Sequence, residues 1–320
     1  MPKETRRIYA AAWWVTIVLI VIDLVWMRDS RLHIQTDSAI LSVQTIALIV
    51  AITCVFWAVS RRPFKAPARK RLYENVAHVF MWIAVLAVFT HVGIVFQYLC
   101  VTTGFPLISD ALISADCAPG FHWLDTYRWV GAHHWIRVVL EFAYASGSVQ
   151  FFAVPIILAL TANSRDYAEF VVQFIVATTL VVLIALVAPA ESAFIKFGIH
   201  DPGTVSTVSD FMPLRNGSAR ELVFSSAQGL VSFPSLHAIL ALCLAYALRH
   251  VRPLFLAGIA LNALMILSTP TQGGHYLSDV LSGLAVGMAV IYLVRKVFAE
   301  AKRSKTLQQG SNLITTLNPD

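Results

Sequence analysis

The sequence predicts an all-α membrane protein, a polytopic bundle of about eight transmembrane helices. Of its 320 residues 58% are apolar and only 13% are charged, whereas soluble domains are about 45–50% apolar and about 25% charged. The mean hydropathy of +0.70 agrees with this class, and the apolar residues form runs long enough to cross a bilayer. This composition excludes a soluble enzyme, a disordered tail and a small secreted module held by disulfides.

Eight apolar runs account for the spans. A membrane-crossing helix needs about 20 apolar residues, and the sixth and seventh runs meet this length only marginally. The runs are residues 8–27, 39–59, 76–101, 136–161, 168–189, 233–249, 253–270 and 275–297. The first follows basic residues, as the core of a signal peptide does, but Trp26-Met27-Arg28-Asp29 offers no small-residue cleavage site. We therefore predict an uncleaved anchor.

The basic residues predict the orientation. When the spans alternate across the membrane, all but seven of the 24 Lys and Arg residues fall on the side of the N-terminus. The other side keeps Arg28, Arg31, Arg128, Arg137, Lys196, Arg215 and Arg220. Because cytoplasmic loops are rich in Lys and Arg, both termini are predicted to be cytoplasmic in an inner or plasma membrane. The net charge of +6 reflects these loops, so no nucleic-acid partner is predicted. The loops 102–135 and 190–232 then face outward.

The chain is predicted to divide into three segments. Residues 1–75 hold two N-terminal spans and a basic cytoplasmic loop, residues 76–298 hold the other six spans, and residues 299–320 form a polar cytoplasmic tail. Cys100 and Cys117 both lie toward the outer side, which fits a disulfide in an oxidising compartment and fits chance placement equally well. No feature indicates the oligomeric state.

Two histidines are predicted to meet at the outer face. His237 lies at the outer start of the sixth span and His275 at the outer start of the eighth, 38 residues later. Two spans of about 19 residues fill that interval and return the chain to the same face. His275, Asp279, Gly283 and Gly287 follow at intervals of four, so they share one helix face on which small residues allow close packing. We expect the sixth and eighth spans to pack together below the two imidazoles.

These residue types suit phosphoryl transfer. Asp279 can accept a hydrogen bond from one ring nitrogen of His275, which leaves the other nitrogen free to attack. His237 would protonate the leaving oxygen, and Ser235 would donate a hydrogen bond to a phosphate oxygen. The backbone around Gly274, at the start of the last helix, is predicted to offer N–H groups and a helix dipole to an anion. A lone histidine at the end of a span usually lies at the membrane–water interface. His237 and His275 are instead predicted to share one membrane side, one helix contact and fitting neighbours, which favours a catalytic site.

These motifs carry a resemblance to a known family. Phe233-Pro234-Ser235-Leu236-His237-Ala238 is similar to the second motif of the type 2 phosphatidic acid phosphatase superfamily, as found in the branch of fungal inositol phosphorylceramide synthase. Gly274-His275-Tyr276, with Asp279 and Gly283, is similar to its third motif, His-x3-Asp-x3-Gly. The resemblance implies a six-helix phosphatase-like core over residues 76–298, preceded by two added spans.

The resemblance also implies roles for the site residues. His275 would become a phosphohistidine, Asp279 would orient it and His237 would be the acid, with no metal and no cofactor. The superfamily's first motif, Lys-x6-Arg-Pro, is absent, and Thr269 stands where the third motif usually has Arg. A phosphate dianion still requires compensating charge. Arg215 and Arg220 of the outer loop are the predicted substitutes, with solvated loop charges as the alternative interpretation of both. Gln228 is predicted to line the same pocket.

Three functions remain open from the sequence. The leading one is an integral-membrane phosphatase that hydrolyses a lipid phosphate or diphosphate at the outer face. The alternative is a phosphotransferase that moves a phosphate-bearing head group, such as inositol phosphate, to a lipid alcohol. Both would act on a lipid phosphate in the bilayer, and they differ in whether water or an alcohol attacks the intermediate. A lipid transporter without chemistry ranks lowest, because it leaves the two histidine motifs unexplained.

Overall fold

The fold is a bundle of helices, as predicted. The computed structural model describes residues 3–63, 66–161, 163–199 and 209–317, with side chains described between residues 5 and 300. Its helices are α1 (Lys3–Ser30), α2 (Thr36–Ser60), α3 (Pro67–Val101), α4 (Ser109–Cys117), α5 (Trp123–Ala132), α6 (His134–Leu160), α7 (Ser164–Val187), α8 (Ala193–Lys196), α9 (Phe211–Asn216), α10 (Leu236–Ala247), α11 (Arg252–Gly273) and α12 (Leu277–Leu317). Two short strands, β1 (His33–Ile34) and β2 (Glu221–Leu222), pair in parallel.

Seven helices of the described chain are long and apolar enough to cross a membrane: α1, α2, α3, α6, α7, α11 and α12 up to Glu300. The protein is therefore an integral membrane protein. The prediction of a full-length sixth span over residues 233–249 was wrong, because α10 has only 12 residues. Such a helix is about 18 Å long, against a hydrocarbon core of about 30 Å. It starts late because Pro234 precedes it and because the Ser235 side chain caps it by accepting from the Ala238 N–H.

Helix α10 lies at the centre of the bundle despite its length. It packs against α6, α7, α11 and α12, while α3 packs against α6 and α7. Helices α1 and α2 contact α3 from outside, and very little of α2 is buried. An exposed apolar helix is stable where lipid replaces water around it. The bundle thus has an inner group of helices with two more on its margin.

The start of α3 marks one end of the bundle, which we call the basic end. Here the Asn75 Oδ1 atom accepts from the Ser164 N–H at 3.1 Å, and the Arg165 Nη2 atom donates to the Phe298 carbonyl at 2.6 Å. The following basic residues lie on the helix ends and turns that form this end: Arg6, Arg7, Arg61, Arg62, Arg69, Lys70, Arg71, Arg165, Arg249, Arg252, Arg295 and Lys296. Lys65 of the predicted basic loop lies outside the described residues.

Buried ion pairs hold α7 and α10 together at the basic end. The Arg249 Nη2 atom lies 2.7 Å from Asp166 Oδ1 and 2.6 Å from Glu169 Oε2. Its guanidinium also stacks on the Tyr246 ring, with the carbon 4.0 Å from the ring centroid. Removing one partner of such a buried pair would leave an uncompensated charge. These contacts fix the depth at which α10, and with it His237, sits in the bundle.

Close packing of α10 on α12 follows from two glycines, as predicted. A Cβ atom on Gly283 would lie 2.5 Å from the Ser235 carbonyl oxygen. One on Gly287 would lie 3.0 Å from Leu242 Cδ1. Small residues at this spacing let membrane helices approach each other closely. The two helices therefore meet directly below the ends that carry the histidines, which we call the histidine end.

Candidate active site

The two predicted histidines meet at the histidine end. His237 lies in the first turn of α10, and His275 lies in the short turn between α11 and α12. Their ring centroids are 5.8 Å apart, with the ring planes at 64°. His275 is buried, with 4% of its surface exposed, and His237 is half-buried. Both rings are therefore close enough to contact a single phosphoryl group.

The Nδ1 atom of His275 faces two acceptors. It lies 3.1 Å from the Ser232 carbonyl oxygen and 3.4 Å from Asp279 Oδ2. A carbonyl oxygen can only accept a hydrogen bond, so Nδ1 carries the proton. The neutral ring then has a lone pair on Nε2, the nitrogen that must be free in a nucleophile. The prediction that Asp279 lies beside this ring agrees with the distance, although the Ser232 carbonyl is the closer partner.

Asp279 joins the start of α12 to the segment before α10. Its Oδ2 atom accepts from Ser232 Oγ at 2.8 Å and from the Tyr276 N–H at 2.9 Å, and its backbone carbonyl accepts from the Ser235 N–H at 3.0 Å. The residue is fully buried. One carboxylate oxygen and the backbone carbonyl of Asp279 together therefore orient three groups around His275. Sequence reasoning missed Ser232, although it stands directly before the motif that begins at Phe233.

His237 has a partner on α6 that the sequence does not reveal. The Tyr144 hydroxyl lies 3.1 Å from His237 Nε2, and the two rings stack with centroids 4.8 Å apart. Both contacts fix the orientation of the imidazole. Tyr144 is one of nine tyrosines and lies in an apolar helix without a motif, so no local signal distinguishes it.

The anion site predicted at the start of α12 is already occupied by a carboxylate, which corrects that prediction. Asp116, at the end of α4, accepts from the Leu277 N–H at 2.7 Å and from the Ser278 N–H at 2.8 Å. The Ser278 hydroxyl also donates to it. The Gly274 N–H donates to the Thr269 carbonyl. Because these N–H groups are used, the positive end of α12 stabilises a side chain of the protein itself.

Gly274 instead shapes the turn that carries His275. Its φ of 66° lies in the left-handed region, and a Cβ atom there would collide with Ser192 Oγ and the Phe194 ring. Its carbonyl accepts from Ala193 N at 2.8 Å. The Trp123 Nε1 atom, also missed in the sequence, donates to the His275 carbonyl at 3.1 Å. His275 is thus held by its backbone as well as by its ring.

The other predicted binding residues make contacts of their own. Ser235 is fully buried and caps α10, so its role toward phosphate stays a prediction. Arg220 donates through Nη1 to the Leu214 carbonyl at 2.6 Å. Gln228 receives a bond from Gln97 on its carbonyl.

Arg215 and Lys196 are cations beside the buried carboxylate of Glu191. Arg215 donates to the Phe105 carbonyl at 2.7 Å, and burial lowers the pKa of its guanidinium while Glu191 opposes that shift. The Lys196 Nζ atom lies 3.9 Å from Glu191 Oε1 and 2.7 Å from Asp110 Oδ1, a hydrogen bond that raises the pKa of Lys196. Among the described residues, no arginine or lysine forms a hydrogen bond or ion pair with either histidine.

A groove leads from His237 toward the outside of the bundle. It is a cavity of about 230 Å³ between α6, α10 and α11. Its wall includes Tyr144, Phe151, Phe152, Leu240 and Met265. Phe152 is 72% exposed on the outer face of α6. The groove is mostly apolar, so it suits the hydrocarbon part of a ligand.

All four cysteines are free thiols in the structure, including Cys100 and Cys117 near the histidine end. Cys100 is buried in α3, while Cys117 is exposed at the end of α4 beside His122. The disulfide that the sequence left open is therefore not formed.

Comparison with known proteins gives one match. The model of the PAP2 superfamily matches residues 110–293, more than half of the chain and including both histidine motifs. Comparison with curated proteins and with solved structures gives no match.

Proposed function

The chain belongs to the PAP2 (type 2 phosphatidic acid phosphatase) superfamily, and from that premise we propose that it hydrolyses a lipid phosphate monoester or diphosphate through a phosphohistidine. The observation that carries this proposal is the placement of His237 and His275 with ring centroids 5.8 Å apart. One ring is oriented for attack and the other for proton transfer. The branch resembling inositol phosphorylceramide synthase remains part of the proposal.

In the first step the His275 Nε2 atom attacks the phosphorus atom. A nitrogen–phosphorus bond forms, the bond from phosphorus to the leaving oxygen breaks, and His237 gives that oxygen a proton. The charge that develops on the His275 ring is stabilised by Asp279 and by the Ser232 carbonyl at Nδ1. Negative charge of the substrate beside His237 favours the protonated imidazole that this step needs.

In the second step water attacks the phosphohistidine. His237 takes a proton from the water, phosphate leaves and the lone pair returns to His275 Nε2. The roles of acid and base therefore alternate on one imidazole. The Tyr144 hydroxyl, which lies 3.1 Å from His237 Nε2, keeps this ring in one orientation through both steps. No step requires a metal ion or cofactor.

The source of positive charge for the phosphate is also part of the proposal. Ser235 would donate from its hydroxyl, while Lys196 of α8, Arg215 of α9 and Arg220 of the following loop lie at the histidine end. The Nη1 atom of Arg215 is buried and has no hydrogen-bond partner among the described residues. A guanidinium donor that is shielded from water and has no partner is suited to a phosphate oxygen. Gly274 would contribute to the site only indirectly, by permitting the turn that carries His275.

We further propose that the basic end is cytoplasmic and the histidine end extracytoplasmic. The described Lys and Arg residues concentrate at the basic end, and such a bias sets the orientation of membrane proteins. Both termini would then be cytoplasmic. The segments 1–75, 76–298 and 299–320 are retained as the proposed division, although α3 and α12 each run continuously through a boundary.

Transfer of a head group to a lipid alcohol is the second candidate. It is favoured by the burial of His275, of which 4% is exposed, because a transferase must keep water from the intermediate. The apolar groove beside His237 could admit the acceptor lipid. Transport without chemistry does not account for the paired histidines.

The test is product analysis with purified protein, EDTA and a panel of lipid phosphates, with and without diacylglycerol, ceramide or inositol. We expect free phosphate without an acceptor, and a loss of more than about a thousand-fold in His275→Ala. A radiolabelled substrate phosphate should label the wild type on an acid-labile, base-stable adduct. The matched control is His134→Ala, an exposed histidine at the same end.

The outcomes separate the candidates. A new lipid product that forms only with an acceptor would establish the transferase. Loss of activity with EDTA, restored by a metal ion, would overturn metal independence. Unchanged turnover in His275→Ala, with the variant folded, would refute the proposed nucleophile.

A further inference from the structure

A second and larger cavity lies at the basic end, far from the histidines. It has a volume of about 740 Å³ and is formed where α1, α2 and α3 meet. Its polar lining includes Arg6, Trp57, Arg61, Lys70, Glu74 and His78. Helix α3 has 35 residues and is about 50 Å long, with Glu74 near its start and Tyr98 near its end. The cavity is therefore separate from the site at the histidine end.

The lining of this cavity has excess positive charge. Within the described part of the chain, no carboxylate forms an ion pair with Arg6 or Arg61. Lys70 lies 3.9 Å from Glu74, and both side chains are about half exposed, so this pair is weak. Two arginines are thus left to bind an anion, and guanidinium groups recognise phosphate through paired hydrogen bonds.

An aromatic side chain fixes one of these arginines. The Arg61 guanidinium carbon lies 4.2 Å from the centroid of the Trp57 ring. This stacking restricts the side chain and leaves the N–H groups at the edge of the guanidinium for a ligand. Trp57 itself is 48% exposed at the end of α2, the level at which tryptophan marks the membrane–water interface. The cationic groups therefore lie at head-group depth.

The walls next to the cavity are suited to acyl chains. Val50 and Val55 of α2 are exposed, as are most residues of that helix. A phospholipid could place its phosphate between Arg6 and Arg61 and its chains along α2. We propose that this cavity binds the phosphate-bearing head group of an anionic phospholipid and so joins α1 and α2 to α3. A free phosphate ion shares the charge but gains nothing from these apolar walls.

The test compares ligands by thermal unfolding of the full chain in neutral detergent. The probes are dioctanoyl phosphatidylglycerol, dioctanoyl phosphatidylcholine and inorganic phosphate. We expect saturable stabilisation by phosphatidylglycerol alone, with an affinity at least about ten-fold lower in Arg6→Ala/Arg61→Ala. The control Arg62→Ala/Arg69→Ala removes the same charge from neighbouring exposed positions outside the cavity and should bind as the wild type does.

A variant that gains affinity tests the proposal without the risk that misfolding explains the result. Glu74→Gln removes the carboxylate of the cavity, so it should bind phosphatidylglycerol more tightly than the wild type, by several-fold. Equal losses in the two double variants would show attraction to general surface charge and overturn the proposal. Stabilisation by inorganic phosphate to the same degree would show a phosphate-ion site instead. Lipid turnover at the histidine end should stay within about two-fold in Arg6→Ala/Arg61→Ala, which keeps this test distinct from that of the proposed function.

Discussion

Hydrogen bonds around single atoms set the chemistry of the site. Asp279 Oδ2 receives bonds from Ser232 and Tyr276 and lies 3.4 Å from His275 Nδ1. Such partners matter because a histidine nucleophile needs the correct tautomer and a fixed ring. The corresponding partner of His237 is Tyr144, across a boundary between two helices.

Replacing Ser232 with Ala should slow turnover without unfolding the protein. The variant loses the hydroxyl that donates to Asp279 Oδ2 at 2.8 Å but keeps the backbone carbonyl at His275 Nδ1. We expect kcat to fall about ten-fold, which corresponds to about 1.4 kcal/mol in the barrier. Ser226→Ala, an exposed serine of the same segment, is the control. Steady-state kinetics with unchanged kcat would contradict the role assigned to this hydroxyl.

Tyr144→Phe should act on His237, the proposed acid–base residue, alone. The phenyl ring preserves the stacking on His237 at 4.8 Å and removes the hydroxyl that lies 3.1 Å from Nε2. A single neutral hydrogen bond contributes about 1 kcal/mol, so we expect kcat to fall about five-fold with little change in KM. The comparison variant is Tyr292→Phe, whose ring is exposed on α12. A change in KM with constant kcat would indicate that Tyr144 binds substrate instead.

Residues within a motif were predictable, and residues brought in by packing were not. His237, His275 and Asp279 stand out by type and spacing, and the structure brings them together. Tyr144 and Trp123 come from other helices, and the sequence gives no measure of which residues of an apolar helix face a histidine. The anion cradle at Gly274 failed as a prediction because Asp116, which occupies the N–H groups of Leu277 and Ser278, lies 161 and 162 positions before them in the chain.

At the scale of elements, the long apolar helices were predictable. A helix pairs its backbone N–H and C=O groups internally, so a long apolar run can cross the lipid only in this form. The end of α10 was not, because Leu and Ala continue the apolar run to Leu248 while the helix stops at Ala247. Its start depends on the Ser235 cap. Short helices such as α4 and α5 occupy what the sequence presented as a loop, and α4 carries the carboxylate that caps α12.

Asp116→Asn should loosen the start of α12. The amide keeps one acceptor for the Leu277 and Ser278 N–H groups but loses the other and the charge that favours the helix dipole. We expect a loss of about 1–3 kcal/mol in stability, measured by unfolding in detergent. Turnover should also fall, because His275 lies only two residues before Leu277. Asp125→Asn on the exposed face of α5 should change neither property. Equal stability of the two variants would show that the cap is dispensable.

The whole molecule has two ends of different charge, and this asymmetry should be visible in cells. Cys117 is exposed at the histidine end and is a natural probe. The triple variant Cys54→Ala/Cys100→Ala/Cys243→Ala keeps Cys117 as its single cysteine. A membrane-impermeant maleimide should label this residue in intact cells. In a cysteine-free chain carrying Arg62→Cys, labelling should require permeabilised cells. The reverse pattern would place the histidine end in the cytoplasm and reject the orientation proposed from the basic residues.

Helix α6 begins at His134 and reaches Tyr144 only after about 15 Å, so the groove beside His237 lies well below the end of the bundle. If the substrate enters by this groove, as the proposed function implies, it would travel within the plane of the leaflet. The rate should then follow the mole fraction of lipid phosphate in the surface, and adding inert detergent or neutral lipid at constant bulk concentration should slow the reaction by surface dilution. The rate of hydrolysis of a water-soluble ester with the same phosphate would not change with surface dilution. The rate would then depend on the surface density of the substrate in the membrane and only little on the volume of the surrounding solution.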